Sequence, residues 1–257
     1  MSSSSLRVGL AQFDIAWEDR EANILNLQSL MQFEDYVDLL LLPEMWSTGF
    51  TNNPQSQAEP SPGPALNWMI EQSNKLDLVI AGSIAVEDSG NYYNRFYCAY
   101  PNGDVLSYDK RHLFSYGKED LNFSPGESRL IFEVKGWKIM PIICYDLRFP
   151  AWCRNNNGYD LIVVVANWPT PRIHHWDILL KARAIENQCY IAAVNRIGSD
   201  GNGLHYPGHS SVIDMNGSAL LELKDKEGVG VSVLDKSILT QYREHFRFLQ
   251  DQDHFKI

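Results

Sequence analysis

The apolar run Trp137-Lys138-Ile139-Met140-Pro141-Ile142-Ile143 breaks at Cys144 into Tyr145-Asp146-Leu147-Arg148-Phe149-Pro150, and this break constrains the fold more than any other feature of the chain. A β-branched run that gives way to a polar turn and then to a helical pattern is a strand-to-helix elbow. The pattern places a helix over about 149–156. A thiol at the elbow is lifted out of the sheet, beside the N–H groups that open the helix. Those groups favour a thiolate and can receive an oxyanion. Most cysteines are small buried hydrophobes, so the elbow alone only nominates a nucleophile.

Two further strand ends carry ionisable groups. Leu39-Leu40-Leu41-Leu42 reads as a buried strand stopped by Pro43, which cannot continue a hydrogen-bonded ladder, so Glu44 lies at or just past the carboxyl end. In parallel sheets that edge is where sites are built. The aromatic and small residues after it, Met45-Trp46-Ser47-Thr48-Gly49-Phe50, are expected to shield the carboxylate and raise its pKa toward that of a general base. The stretch from Asp104 alternates as a strand after the turn Pro101-Asn102-Gly103 and puts Lys110 at its end. Taken singly, a loop glutamate and a surface lysine are ordinary.

Elsewhere the pattern places strands over about 6–13, 161–166 and 190–195 and a hairpin over 78–100 turning at Asp88-Ser89-Gly90-Asn91. Further strands fall around 210–214, 219–223 and 229–234. Helices are expected over about 19–33, 65–75 and 175–188, with a Pro/Ser-rich loop at 52–64. No domain boundary, repeat or low-complexity linker is evident, and residues 1–257 read as one domain. Strands separated by helices, with hairpins mixed in, make an α/β layered fold with mixed sheets.

Glu44, Lys110 and Cys144, in this order and each at a strand end, resemble the catalytic triad of the nitrilase or carbon–nitrogen hydrolase superfamily. The resemblance spans nearly the whole chain. It takes in Val8-Gly9-Leu10-Ala11-Gln12-Phe13, Leu42-Pro43-Glu44, Tyr108-Asp109-Lys110-Arg111-His112-Leu113-Phe114 and the elbow itself. It continues through Ala166-Asn167-Trp168-Pro169, Arg183-Ala184-Ile185-Glu186-Asn187-Gln188 and Gly208-His209-Ser210-Ser211-Val212-Ile213. Within the superfamily the chain is most similar to bacterial omega-amidases, which hydrolyse the terminal amide of 2-oxoglutaramate. Many relatives carry a glutamate directly after the Arg-Phe-Pro of the elbow, where this chain has Ala151-Trp152-Cys153-Arg154-Asn155. The stretch 195–203 and the compact length also fit that subgroup.

The resemblance implies an αββα sandwich of two mixed sheets flanked by helices. It implies a homodimer with helices packed across the interface, for which the helix near 182–187 and the elbow helix are candidates. It implies a thioester mechanism with no metal or organic cofactor. Cys144 attacks, Glu44 accepts and returns the proton, and Lys110 with the backbone N–H of Tyr145 holds the oxyanion. Glu119 is the match to a second glutamate that family members place near the lysine. A keto-dicarboxylate monoamide needs a cation for its distal carboxylate; Arg148, Arg172 and His205 are candidates, with Trp46, Trp168 and Tyr206 as walls. The same triad would serve a nitrilase, a carbamoyl-amino-acid hydrolase or an amidase for modified peptides. A non-catalytic protein of the same fold is the other class, and the intact triad argues against it.

A formal net charge of −10 on 257 residues argues against nucleic acid or an anionic membrane as a partner, and requires local cations to draw in an anionic substrate. No apolar run approaches the roughly 20 residues that span a bilayer. Met1-Ser2-Ser3-Ser4-Ser5 shows no secretion signal, and Cys98, Cys144, Cys153 and Cys189 show no disulfide framework, so a cytoplasmic location is expected. Cys98 and Cys189, in apolar runs, read as core filler. His174-His175, His205 and His209 lack the companions of a metal site, and Gly198, Gly201 and Gly203 read as a turn.

Overall fold

The computed structural model describes residues 5–32 and 36–253; the expected helix end at Phe33 and the opening Met1 to Ser4 lie outside the described residues. The first part of the chain forms strands β1 (Ser5–Gln12), β2 (Leu39–Leu41), β3 (Glu59–Pro60), β4 (Val79–Asp88), β5 (Asn91–Ala99) and β6 (Val105–Asp109). The second forms β7 (Phe132–Val134), β8 (Trp137–Ile143), β9 (Leu161–Ala166), β10 (Tyr190–Asn195), β11 (Ile197–Ser199) and β12 (His205–Pro207). It ends with β13 (Ser210–Ile213), β14 (Ala219–Lys224) and β15 (Gly228–Asp235). The helices are α1 (Arg20–Leu30), α2 (Pro54–Gln57), α3 (Pro64–Leu76), α4 (Ile173–Asn187) and α5 (Lys236–His245).

Two large sheets result. One runs in the order β15-β1-β2-β4-β5-β6 with β3 beside β4, the other in the order β14-β13-β10-β9-β8-β7; β11 and β12 form a separate hairpin. Both have the same plan. Three parallel strands, β1-β2-β4 in one and β8-β9-β10 in the other, are bordered by antiparallel strands. β5 reverses and β6 reverses again, so β6 runs with β2 and its carboxyl end lies at the same sheet edge.

The leucine strand shows how side-chain alternation builds the layers. Leu39 and Leu41 join one fully buried cluster with residues of β8, β9 and β10, between the sheets. Leu40 and Leu42 face the other way, into a cluster with Leu27 of α1 and Leu66 and Met69 of α3. On the far face of the second sheet, Trp176, Leu180 and Ala184 of α4 close the core. Each buried leucine contributes roughly 1.5–3 kcal/mol by leaving water. The expected αββα arrangement of two mixed sheets flanked by helices is what the chain adopts, and among the described residues no helix is long and apolar enough to cross a membrane.

The hairpin turns where expected. Ser89 and Gly90 both take positive φ, 53° and 82°, the two-residue geometry that matches strand twist. Two expectations need correction, and one element is new. The helix placed over 149–156 does not form; Cys144–Arg148 is a 3₁₀ turn, and irregular turns follow. The loop at 52–64 contains α2 and β3. α5 was not anticipated, although Asp235 caps it through a 2.7 Å bond from the Ser237 N–H.

Candidate active site

Glu44, at the end of the leucine strand, is fully buried in a place assembled from both sheets. Its Oε1 accepts from Lys110 Nζ at 2.8 Å and Asn94 Nδ2 at 2.8 Å; its Oε2 accepts from the backbone N–H of Asn167 at 2.9 Å. The Asn167 side chain donates back to the Glu44 carbonyl at 2.5 Å. Asn167 follows β9 of the second sheet, so these two bonds tie the sheets together beside Lys110 and Cys144.

Lys110 Nζ also donates to both oxygens of Glu119, at 3.0 and 2.9 Å. Glu119 is fully buried in the loop after β6, where the Phe114 N–H donates to it at 2.6 Å and Asn94 at 3.0 Å. Burial disfavours the ammonium, but Glu119 and Glu44 together hold the Lys110 pKa above its ordinary value. Burial pushes Glu119 upward against the pull of Lys110. With both carboxylates ionised, the three groups carry a net charge of about −1.

Cys144 takes a positive φ of 44° at the elbow and is half-buried, with Sγ 3.9 Å from the Asn167 carbonyl. Burial first, and then the charge of Glu44, push its thiol well above the ordinary range, with Lys110 opposing. The resting group is therefore the neutral thiol, not the thiolate that an elbow alone suggests. Alkylation of Cys144 by iodoacetamide without substrate is accordingly expected to climb with pH through the ordinary thiol range. Mass spectrometry of the Cys144 peptide measures this, and a plateau near neutrality would contradict it.

A cavity of about 410 Å³ opens above these groups and is lined by Glu44, Lys110, Cys144, Tyr145, Arg148, Asn167, Trp168, Arg172 and Tyr206, among others. Arg148 lies over the Trp168 ring at 4.8 Å and Arg172 over the Phe114 ring at 5.1 Å. Among the described residues neither guanidinium has a carboxylate within ion-pair distance. Burial, and among the neighbouring charges that of Arg172, hold the Arg148 pKa below its ordinary value.

The β11–β12 hairpin brings Asp200 and Tyr206 to the cavity, the Tyr206 hydroxyl donating to Asp200 at 2.9 Å. Gly198 lets the hairpin lie against Asp14: it has φ +81°, and a Cβ there would sit 2.0 Å from the Asp14 carboxylate. His205 is not among the lining residues. It is exposed, with its ring 3.5 Å from Ser199 Oγ, because its neighbour Tyr206 faces inward and strand side chains alternate. Trp46 is not a wall either; it is fully buried beside Trp68 of α3 at 5.1 Å. Cys98, Cys153 and Cys189 are buried. Among the described residues no group of three or more His, Cys, Asp or Glu side chains is arranged to hold a metal ion.

Sequence reasoning passed over Asn94, Asn167 and Asn195. Asn94 is a fully buried amide inside an otherwise strand-like run, which was the available signal. Asn195 ends β10 and clamps the Trp168 backbone, accepting from its N–H at 2.7 Å and donating to its carbonyl at 2.9 Å.

A family model described as carbon–nitrogen hydrolase matches residues 7–244. The chain belongs to the carbon–nitrogen hydrolase family. Relatives in this family include the omega-amidase YafV of Escherichia coli K12, 41% identical over 253 residues and 98% of each chain. The 2-oxoglutaramate amidase of Bacillus subtilis 168 is 36% identical over 250 residues, covering 95% of this chain and 96% of its own. Among solved structures, the carbon–nitrogen hydrolase XC1258 of Xanthomonas campestris, which has an arsenic adduct in its active site, superposes with a TM-score of 0.96 at 40% identity, covering 98% and 99% of the two chains.

Proposed function

We propose that this carbon–nitrogen hydrolase is a thiol amidase of the omega-amidase type, releasing ammonia from the terminal amide of a small 2-oxo dicarboxylic acid monoamide such as 2-oxoglutaramate or 2-oxosuccinamate. The observation that carries the substrate class is the pair of guanidiniums without carboxylate partners, Arg148 and Arg172, in the cavity that also holds Cys144, Glu44 and Lys110. Similarity to YafV and to the Bacillus amidase along nearly the full length supports the same reading.

In this reading Cys144 passes its proton to Glu44 as Sγ attacks the amide carbon. The transfer leaves the net charge of the buried cluster unchanged, which suits a thiol with a raised pKa. The oxyanion is met by the Lys110 ammonium and by the Tyr145 N–H, which heads the 3₁₀ turn where no intrahelical carbonyl serves it. Glu44 then protonates the departing ammonia, leaving a thioester, and deprotonates the water that hydrolyses it. Glu119 holds Lys110 in place. No cofactor, metal, nucleic acid or membrane enters this scheme.

The distal carboxylate is assigned to Arg172, with Arg148 beside it, and Trp168 and Tyr206 as walls. A charge-assisted bond of this kind is worth roughly 1.5–3 kcal/mol, about tenfold or more in affinity. Arg172→Ala is therefore expected to raise KM for 2-oxoglutaramate about tenfold or more while changing KM for a neutral short amide little. Steady-state kinetics on both substrates check this, and equal effects would remove Arg172 from the role. A screen of 2-oxoglutaramate, glutamine, a simple nitrile and a carbamoyl amino acid tests the class. Preference for either of the last two would replace the omega-amidase reading by another carbon–nitrogen hydrolase. We further read the enzyme as a cytoplasmic homodimer pairing through α4, whose Ile178 and Ile185 are half exposed. Light scattering in solution tests the assembly.

A further inference from the structure

Asp146 plays no part in the proton and acyl transfers above, yet its carboxylate is fully buried at the elbow. Four polar groups from three places converge on it. The Ile143 N–H, at the end of β8, donates to Oδ2 at 3.1 Å, and the Tyr108 hydroxyl, near the end of β6, donates to the same oxygen at 2.7 Å. The His112 N–H donates to Oδ1 at 2.9 Å, and the His112 ring Nδ1 lies 2.8 Å from that oxygen. Tyr108 and His112 stand two residues before and two residues after Lys110. Asp146 itself stands two residues after Cys144 and one after Tyr145.

The partners are themselves fixed. The Tyr108 hydroxyl accepts from the Arg111 N–H at 3.2 Å and from Trp152 Nε1 at 3.1 Å. The His112 ring stacks on Phe149 with 3.6 Å between centroids and 5° between planes. Burial and the Asp146 charge keep the Tyr108 phenol well above its ordinary pKa, so it stays a donor. β6 belongs to the first sheet and β8 to the second. One carboxylate thus connects the segment bearing the ammonium to the turn bearing the thiol and the oxyanion N–H, where no strand ladder connects them.

We propose that Asp146 is a positioning residue for the reaction, bracing the elbow of Cys144 and Tyr145 against the strand end of Lys110 through Tyr108 and His112. The inference rests on the roles assigned above to Cys144 and Lys110. A burial cost as large as a carboxylate's is compensated only when every acceptor site is used, and here all the donors come from the two segments whose spacing sets attack geometry. A displacement of about 1 Å in such a geometry costs on the order of a hundredfold in rate.

Asp146→Asn keeps the volume but turns one acceptor into a donor facing donors. Its kcat on 2-oxoglutaramate is expected to fall by roughly a hundredfold, with KM and the shape of the pH–rate profile unchanged. Tyr108→Phe, which removes one bond and is milder to the fold, should lower kcat by less. Combining the two should cost no more than Asp146→Asn alone, because both break the same brace. A wild-type kcat in folded Asp146→Asn, a loss expressed in KM, or independent additive losses would each overturn the proposal. If Asp146→Asn does not fold, an unchanged kcat in Tyr108→Phe overturns it and a lowered kcat with unchanged KM supports it. Cys144→Ala is assayed in parallel. Turnover by that variant would refute the chemistry itself, whereas an inactive Cys144→Ala beside a fully active Asp146→Asn refutes only the brace.

Discussion

Replacing Cys144 with alanine is expected to abolish amide hydrolysis while leaving the fold and thermal stability close to those of the wild type. The side chain is half-buried at the floor of the cavity, and its loss opens little space in the main cores. Cys98, Cys153 and Cys189 are buried elsewhere, and burial raises all three thiols. None can replace it. In the wild type, a slowly hydrolysed amide should leave an acyl adduct on the Cys144 peptide, visible by mass spectrometry. An adduct on Cys153 instead, or residual turnover in the alanine variant, would overturn the assignment.

Glu44→Gln is expected to lower kcat by roughly 10²–10⁴-fold, the range for a lost general base. The substitution keeps the shape of the side chain and one oxygen, which can go on accepting from Lys110 and Asn94, while the amide nitrogen then faces the Asn167 N–H. What disappears is the proton acceptor for a thiol that is neutral at rest, and later the base that activates water. Hydrolysis of any thioester formed should be the slower half, and rapid-quench measurement of acyl-enzyme against product separates the two. Lys110→Ala should also lose about 10²–10³-fold or more by removing oxyanion charge. It differs in a second respect: it leaves Glu44 and Glu119 buried without their shared cation, a change that typically costs about 3–5 kcal/mol in stability. A larger drop in Tm is therefore expected for Lys110→Ala than for Glu44→Gln, which loses the acceptor for the Asn167 N–H but keeps the one for Lys110. Near-normal turnover in either variant would remove the residue from the mechanism.

That Glu44, Lys110 and Cys144 stand at strand ends could be read from the sequence because each follows an apolar or alternating run with an abrupt break, and such breaks fall at sheet edges. The layered α/β architecture was legible for the same reason. The helix expected after the elbow was misread because Phe149, Trp152 and Cys153 recur at helical spacing. Here they are drawn inward by turns, Phe149 against the His112 ring and Trp152 against Tyr108, while Asn155, Asn156, Asn157 and Gly158 supply turn residues that stop any helix. Asn94 and Asn167 stayed hidden because a neutral amide inside or beside a strand has no charge or spacing signature, and its value lies wholly in its partners. His205 looked like a pocket cation until strand alternation turned it outward and Tyr206 inward.

The division of the site between two sheets has a consequence for the newly made chain. Glu44 and Lys110 lie on the first sheet, whereas Cys144 and Asn167 follow strands of the second. Until the sheets dock, the thiol has beside it neither Glu44 nor Lys110, the groups proposed as its proton acceptor and oxyanion cation. A polypeptide emerging from the ribosome therefore carries an ordinary cysteine, and attack assisted by a neighbouring base and cation becomes available only once the two sheets have met. A fragment carrying strands of only one sheet would therefore hold no complete set of Glu44, Lys110 and Cys144, however well it folded.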